Sequence, residues 1–237
     1  MTEISNLPLA DTSDMIGLHR VFREALAAAP QLVGGAAPGD AGRAELVGSY
    51  YDNVLRLLDG HHAGEDELVT PRLLERCPDE AATIARIFAQ HDEVHGAISR
   101  AHACVATWRE RPTAANASEL VAALAALDAA LTPHLDEEER TVLPLAARCI
   151  SVVEWGELPG HGMRSFDGDK LWLIRGLIRE QMTPAQRASM DANTPPPVAA
   201  MWAEMGEAAF ADFVVRLRGL VPSPRNPADE VHADPVG

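Results

Sequence analysis

The chain has 237 residues, 47% apolar and 23% charged, enough to bury one sizeable core or one domain with an appendage. Asp and Glu total 35 against 20 Lys and Arg, a net charge of −15. That balance argues against capture of nucleic acid or of an anionic membrane surface and leaves small molecules as the expected partners. Cys77, Cys104 and Cys149 are odd in number and far apart, a pattern that suits reduced core thiols rather than a disulfide framework or a zinc site.

Residues 1–12 read as irregular. They lack the basic flank and apolar run of a signal peptide, and no later stretch reads as membrane-spanning, so the expected location is cytoplasmic. Thr12 or Ser13 can cap a first helix that carries Met15, Ile16, His19, Phe22 and Leu26 on one face until Pro30 ends it. Residues 31–42, rich in Gly, Ala and Pro, read as a loop.

A second helix is expected over residues 43–69. Val47, Val54, Leu57, Leu58, His61, Glu65 and Leu68 follow its apolar stripe, and Thr70-Pro71 marks a stop or kink. A buried Glu needs a partner, so Glu65 one turn after His61 implies an ion pair, a hydrogen-bonded network or a metal. His62 and Asp66 point to the side of that stripe, behind the inward residues or toward solvent. Gly60 and Gly64 each cost about 1 kcal/mol relative to Ala in a helix, which close packing near a site would offset. Tyr50 and Tyr51 read as packing residues, redox-active neighbours of the site only if the helices cross there.

The third helix, residues 81–108, carries Ile84, Ile87, Phe88, Val94, Ile98 and Val105 three or four apart, with His91, His95 and His102 on the same stripe. His91 and His95, four apart, lie one above the other and can share one metal ion. His102, two turns further on, is too far for the same ion and reads as a core histidine or one that backs the site.

The fourth helix starts near Asn116, with Glu119 three residues later, and shows Leu120, Leu124, Leu127, Leu131, His134, Glu138, Val142 and Leu145 on one face. The His-xxx-Glu pattern thus returns. Helical phase turns Glu138 inward, with Glu139 the alternative, and Pro133 should bend the helix.

Four amphipathic helices joined by short connections predict an all-α, up-down-up-down four-helix bundle over residues 13–148, a fold that builds metal sites from facing helices. The candidate ligands are His19, His61, Glu65, His91, His95, His134 and Glu138. Five imidazoles and two carboxylates exceed one tetrahedral zinc and suit a pair of iron or similar ions.

The order His19, His61-xxx-Glu65, His91-xxx-His95, His134-xxx-Glu138 resembles the hemerythrin-like, or HHE cation-binding, family over roughly residues 13–148. The resemblance implies a four-helix bundle around two iron ions, an oxo- or hydroxo-bridged non-haem di-iron centre. Carried over by motif position, His91, His95 and His134 hold one iron, His19 and His61 the other, and Glu65 and Glu138 bridge them. The family's oxygen carriers end in an Asp five residues after the last His. Here Glu139 stands at five and Glu138 at four, the spacing of the wider bacterial branch, which departs from a simple carrier.

On that reading one iron position stays open for dioxygen, nitric oxide or peroxide. Three roles follow: binding or sensing of the small ligand in oxidative or nitrosative stress, catalase-like or nitric-oxide-consuming turnover, and iron storage or homeostasis.

Residues 150–220 lie beyond the resemblance and read as a C-terminal helical extension. A Gly-rich loop spans 155–169 and contains His161 and Phe166; helices follow over 170–181, from the Thr183-Pro184-Ala185-Gln186 cap, and over 198–218 after a triple proline. The stronger two helices are expected to form a satellite core against the bundle, with a partner-binding or homodimer surface as the alternative. Residues 221–237 read as a disordered tail.

Overall fold

Two apolar clusters with a polar layer between them organise the helices. The computed structural model describes residues 8–219, apart from the side chain of residue 165, and is all-α. Among these residues the β pairing is an isolated bridge, Leu9 with Ser151. The bundle helices are α1 (Ser13–Ala27), α3 (Ala41–Gly64), α6 (His91–Glu110) and α7 (Ala114–Glu137). They close a ring in which α1 and α6 each pack on both α3 and α7.

The larger cluster, on one side of the polar layer, includes Phe22, Leu55, Leu58, Val94, Ile98, Trp108, Leu124 and Leu131. The smaller, on the other side, includes Met15, Val69, Leu73, Ile84, Ile87, Phe88, Val142 and Ile150.

Local chemistry sets the helix ends. Asp40 accepts a hydrogen bond from the Arg43 amide to start α3. Thr113, rather than Asn116, caps α7, its hydroxyl accepting from the Asn116 amide at 3.1 Å. Pro30 does not simply end a helix: it sits in the first turn of a short α2 (Ala29–Leu32), where its missing N–H is not needed.

Pro71 is not a stop either. The helix widens into a π segment, Glu65–Val69, and continues as α4 (Thr70–Arg76). The same device recurs after α7, as a π segment Glu138–Val142 followed by α8 (Leu143–Cys149). In each copy a glutamate opens the π turn and a proline, Pro71 or Pro144, stands six residues later. A proline ring breaks the regular ladder one turn back, and the Thr70 and Leu143 amides bond instead to the Glu65 and Glu138 carbonyls.

The expected third helix is two: α5 (Ala81–Phe88), a break at Ala89 and Gln90, then α6. The buried residues of α6 are His91, Val94, Ile98, Ala101, Val105 and Trp108. Their alternate spacing of three and four is the narrow seam of bundle packing rather than a broad face.

The expected loop at 155–169 is largely helical, comprising the end of α9 (Val152–Trp155) and α10 (Glu157–Ser165). Then come α11 (Leu171–Glu180), α12 (Pro184–Ala192) with the Thr183–Gln186 capping box, α13 (Pro196–Met201), a π segment Trp202–Gly206 and α14 (Glu207–Arg218). Leu173, Ile174, Leu177, Phe213 and Leu217 do not form a satellite: they are continuous with the larger bundle cluster.

The run Ala114–Cys149 is long and apolar enough to cross a membrane by length and composition, contrary to the sequence reading. Here its leucines 120, 124, 127 and 131 point into the bundle core. The tail expected at 221–237 lies outside the described residues.

Candidate metal centre

Every bundle helix delivers polar side chains to the layer between the two clusters. α1 supplies His19, between Met15 and Phe22. α3 supplies His61 and His62, and its junction with the π segment supplies Glu65. α6 opens on His91, and α7 supplies His134 with Glu138 at the next π junction. None of these seven is more than 8% exposed.

They form two groups that share Glu65, one of His19, His61, Glu65 and Glu138, the other of His62, Glu65, His91 and His134. Within each group the ligating atoms lie within 4.8 Å of one another. Glu65 spans the two, with Oε1 3.6 Å from His61 Nε2 and Oε2 3.7 Å from His91 Nε2. Glu138 Oε2 stands 3.5 Å from His19 Nε2 and 3.8 Å from His134 Nε2.

These separations are too long for hydrogen bonds. The Nε2 atoms of all five histidines and Oε2 of both glutamates are buried without a hydrogen-bond partner. Leaving seven polar atoms in that state is costly unless a cation binds them, and imidazole nitrogens with carboxylate oxygens are the donor set of a transition metal.

The outer edges of the rings fix which nitrogen carries the proton. His19 Nδ1 is 2.9 Å from Glu139 Oε1, His91 Nδ1 is 2.9 Å from Asp66 Oδ1, and His134 Nδ1 is 3.1 Å from Gln90 Oε1. Oxygen acceptors place the proton on Nδ1 and leave the Nε2 lone pair facing the centre. The Gln90 amide group in turn donates to Glu137, which orients its carbonyl toward His134.

Burial, reinforced by the neighbouring imidazoles, holds His61 and His62 well below the ordinary histidine range, and burial brings His134 down to about 4. These rings are therefore neutral at neutral pH, the form in which an imidazole could bind a metal. Burial and the adjacent Glu138 carboxylate push Glu65 well above the usual carboxylate value. Hydrogen bonds from His19 and Arg23, against a smaller effect of burial, hold Glu139 down at about 2.

Of the residues picked out in sequence, the structure brings His19, His61, Glu65, His91, His134 and Glu138 together and leaves His95 out. The His95 side chain is 70% exposed, with Nδ1 3.2 Å from Asp59. It follows Val94, the seam residue of that turn, so on a narrow seam it falls on the α3 side and outside the bundle. His102, one residue past Ala101, is half-buried on the same side and lies beside Asp52 at 3.3 Å and Asp59, so it neither sits in the core nor backs a converging residue.

The place expected for His95 is taken by His62, whose ring stacks on His91. A single apolar stripe along α3 does not reveal it, because it places His62 to the side of His61. That helix packs on α1, α6, α10 and α11 and is buried over a wide arc that holds both Tyr50 and Tyr51, both Val54 and Leu55, and both His61 and His62. The usable signal was Leu55, one heptad before His62.

Glu138 faces inward, whereas Glu139 backs His19 and binds Arg23 at 2.7 Å. Tyr51 donates its hydroxyl to the Ala25 carbonyl, away from the centre. Gly64 does mark a close approach, since a Cβ there would stand 3.3 Å from His161 Nδ1 and 3.4 Å from Leu158, both on α10. Gly60 has ordinary clearance.

A family model for hemerythrin HHE cation-binding domains matches residues 11–146, more than half of the chain. The chain belongs to that family. Domains of the family bind metal ions, usually iron, and the two His/Glu groups could hold them. No curated protein and no solved structure matches the chain. Within this HHE domain the matched span ends at the second π segment and α8, so α9–α14 are additions to the family's bundle.

Proposed function

We propose that this protein is a non-haem di-iron protein that binds a small ligand, dioxygen or nitric oxide, in oxidative or nitrosative stress handling or sensing. The observation that carries the reading is the convergence of seven buried, unpartnered ligand atoms in two groups joined by Glu65. His19 and His61 would hold one iron and His62, His91 and His134 the other. Glu65 and Glu138 would lie between them. Iron held by these residues would supply the redox-active, ligand-binding chemistry that a diatomic gas requires.

The chain's own residues favour a ligand of very few atoms. All seven donors are buried, and Phe22 and Phe88 rings lie 5.5 Å from His61 and 5.1 Å from His91. Two cavities, of about 670 and 340 Å³, lie away from these donors, at the joint between the bundle and α11–α14. Tyr51 donates its hydroxyl to the Ala25 carbonyl and Tyr50 lines a cavity with Leu177 and Arg218, so neither tyrosine serves the centre as a proton donor.

The test is metal content and the optical spectrum of anaerobically reduced protein before and after dioxygen, nitric oxide and, separately, peroxide. A stable adduct that is lost on removing the gas supports binding. Sustained peroxide loss instead makes the protein a catalase-like enzyme. Metal that is readily lost and regained, without adducts, makes it an iron-storage protein. Failure of reconstituted protein to take up about two irons per chain would falsify the di-iron reading.

A further inference from the structure

Cys77 and Cys149, separated by 72 residues of chain, meet with their sulfurs 2.6 Å apart. All three thiols are free, in keeping with the sequence reading, but these two are neighbours in space. It is a consequence of the duplicated helix ending: Cys77 follows α4 after the first π segment, and Cys149 closes α8 after the second. α4 and α8 pack side by side, so their ends coincide.

Arg76 fixes the junction by donating to the Cys149 carbonyl and to both carboxylate oxygens of Glu154. Cys77 is buried in the smaller apolar cluster, and Cys149 lies at its partly exposed edge. Cys104 is elsewhere, against the larger cluster.

We propose that Cys77 and Cys149 are a redox modification site, a dithiol that hydrogen peroxide converts to a disulfide clamping α4 to α8. The partly exposed Cys149 is the thiol that meets the oxidant. Burial and the Cys149 sulfur push the Cys77 thiol up to about 11, which keeps it protonated and leaves first attack on the oxidant to Cys149.

In the first step the Cys149 sulfur attacks one peroxide oxygen, the O–O bond breaks, a sulfenic acid forms and one water leaves. In the second, the Cys77 sulfur displaces the sulfenic hydroxyl as another water. Two thiols and one peroxide give one disulfide and two waters, with the two electrons coming from the sulfur pair. The bond joins the ends of the two helices whose π segments open on Glu65 and Glu138. It therefore holds together the half of the bundle beyond the polar layer. The inference does not depend on which small ligand the metal centre takes.

The experiment starts from the full-length, metal-loaded protein, reduced and desalted without air. It is treated with a small excess of hydrogen peroxide, alkylated with a maleimide under denaturing conditions, and weighed and peptide-mapped. Reactive thiols should fall from three to one, the survivor being Cys104, with a linked Cys77–Cys149 peptide that dithiothreitol reverses.

Cys77→Ser should instead hold Cys149 as a sulfenic acid that dimedone traps, and Cys104→Ser should leave the disulfide unaffected. Three alkylated thiols, a link through Cys104, or no dimedone adduct in Cys77→Ser overturns the site. The clamp is read separately, as a rise of roughly 10 °C in the unfolding temperature of the oxidised protein. An unchanged or lower temperature overturns that part.

Discussion

The His62 imidazole lies stacked on that of His91, ring centroids 4.3 Å apart and planes 20° apart, while His95, one turn along the same helix as His91, is at the surface. His62→Ala should therefore lower bound metal from about two ions per chain to about one, because it takes a nitrogen from the group that also holds His91 and His134. His95→Ala should leave metal content unchanged. Metal analysis of the two purified variants decides between them, and the reverse result would restore the assignment read from the spacing His91-xxx-His95.

Glu65 belongs to both groups, with one oxygen toward His61 and the other toward His91. Glu65→Ala should cost both ions, a larger loss than that of His62→Ala, with the helical content of the chain retained. Glu138→Ala should also lower metal content sharply. If Glu65→Ala keeps one ion at full occupancy, the two groups are independent.

The helices that build the centre were legible because their apolar repeats are long and each ligand replaces a residue in such a repeat, as His19 does between Met15 and Phe22. Six of the seven converging residues follow from that logic. His62 and His95 did not, because a repeat shows that a helix has an inner face but not how wide that face is. Width is set by the number of neighbours: α3 has several and buries both of a pair of adjacent residues, while the α6 seam is narrow. The π segments were illegible for a related reason, since Pro71 and Pro144 announce a broken ladder without saying whether the chain stops or widens.

Asp66 is half exposed, yet its carboxylate holds the Nδ1 proton of His91 at 2.9 Å. Asp66→Asn should keep the fold and weaken metal binding about 10- to 100-fold, through loss of ring orientation and basicity. Competition against a chelator of known affinity measures this. Unchanged affinity would mean that the stacking on His62 alone holds the His91 ring in place.

Docking of the C-terminal helices rests on a close approach at Gly176, where a Cβ would fall 2.1 Å from the Phe210 ring. Gly176→Ala should push α14 off α11 and destabilise the protein by about 1–3 kcal/mol. Chemical denaturation would show the shift, and metal content should stay at the wild-type value. A neutral effect on stability would mean that the ring has room to turn aside.

The Arg76–Glu154 pair gives stability a dependence on pH with a definite sign. Glu154 accepts from Arg76 at 2.9 and 2.6 Å and from the Ser151 amide at 3.0 Å. Arg76, with a smaller contribution from Ser151 and against a modest effect of burial, holds its carboxyl down at about 2. In the unfolded chain the same group titrates near ~4.3. A carboxyl depressed on folding contributes its full stabilisation above the unfolded value and loses it as pH falls through the folded one. Glu154→Gln should thus cost about 1–2 kcal/mol at pH 7. The gap from wild type should hold steady down to about pH 5, then close between about pH 4 and pH 2 as Glu154 takes up its proton. Urea midpoints measured across that range test the sign. A gap that persists undiminished near pH 2 would mean that the glutamine fails for reasons of shape rather than charge.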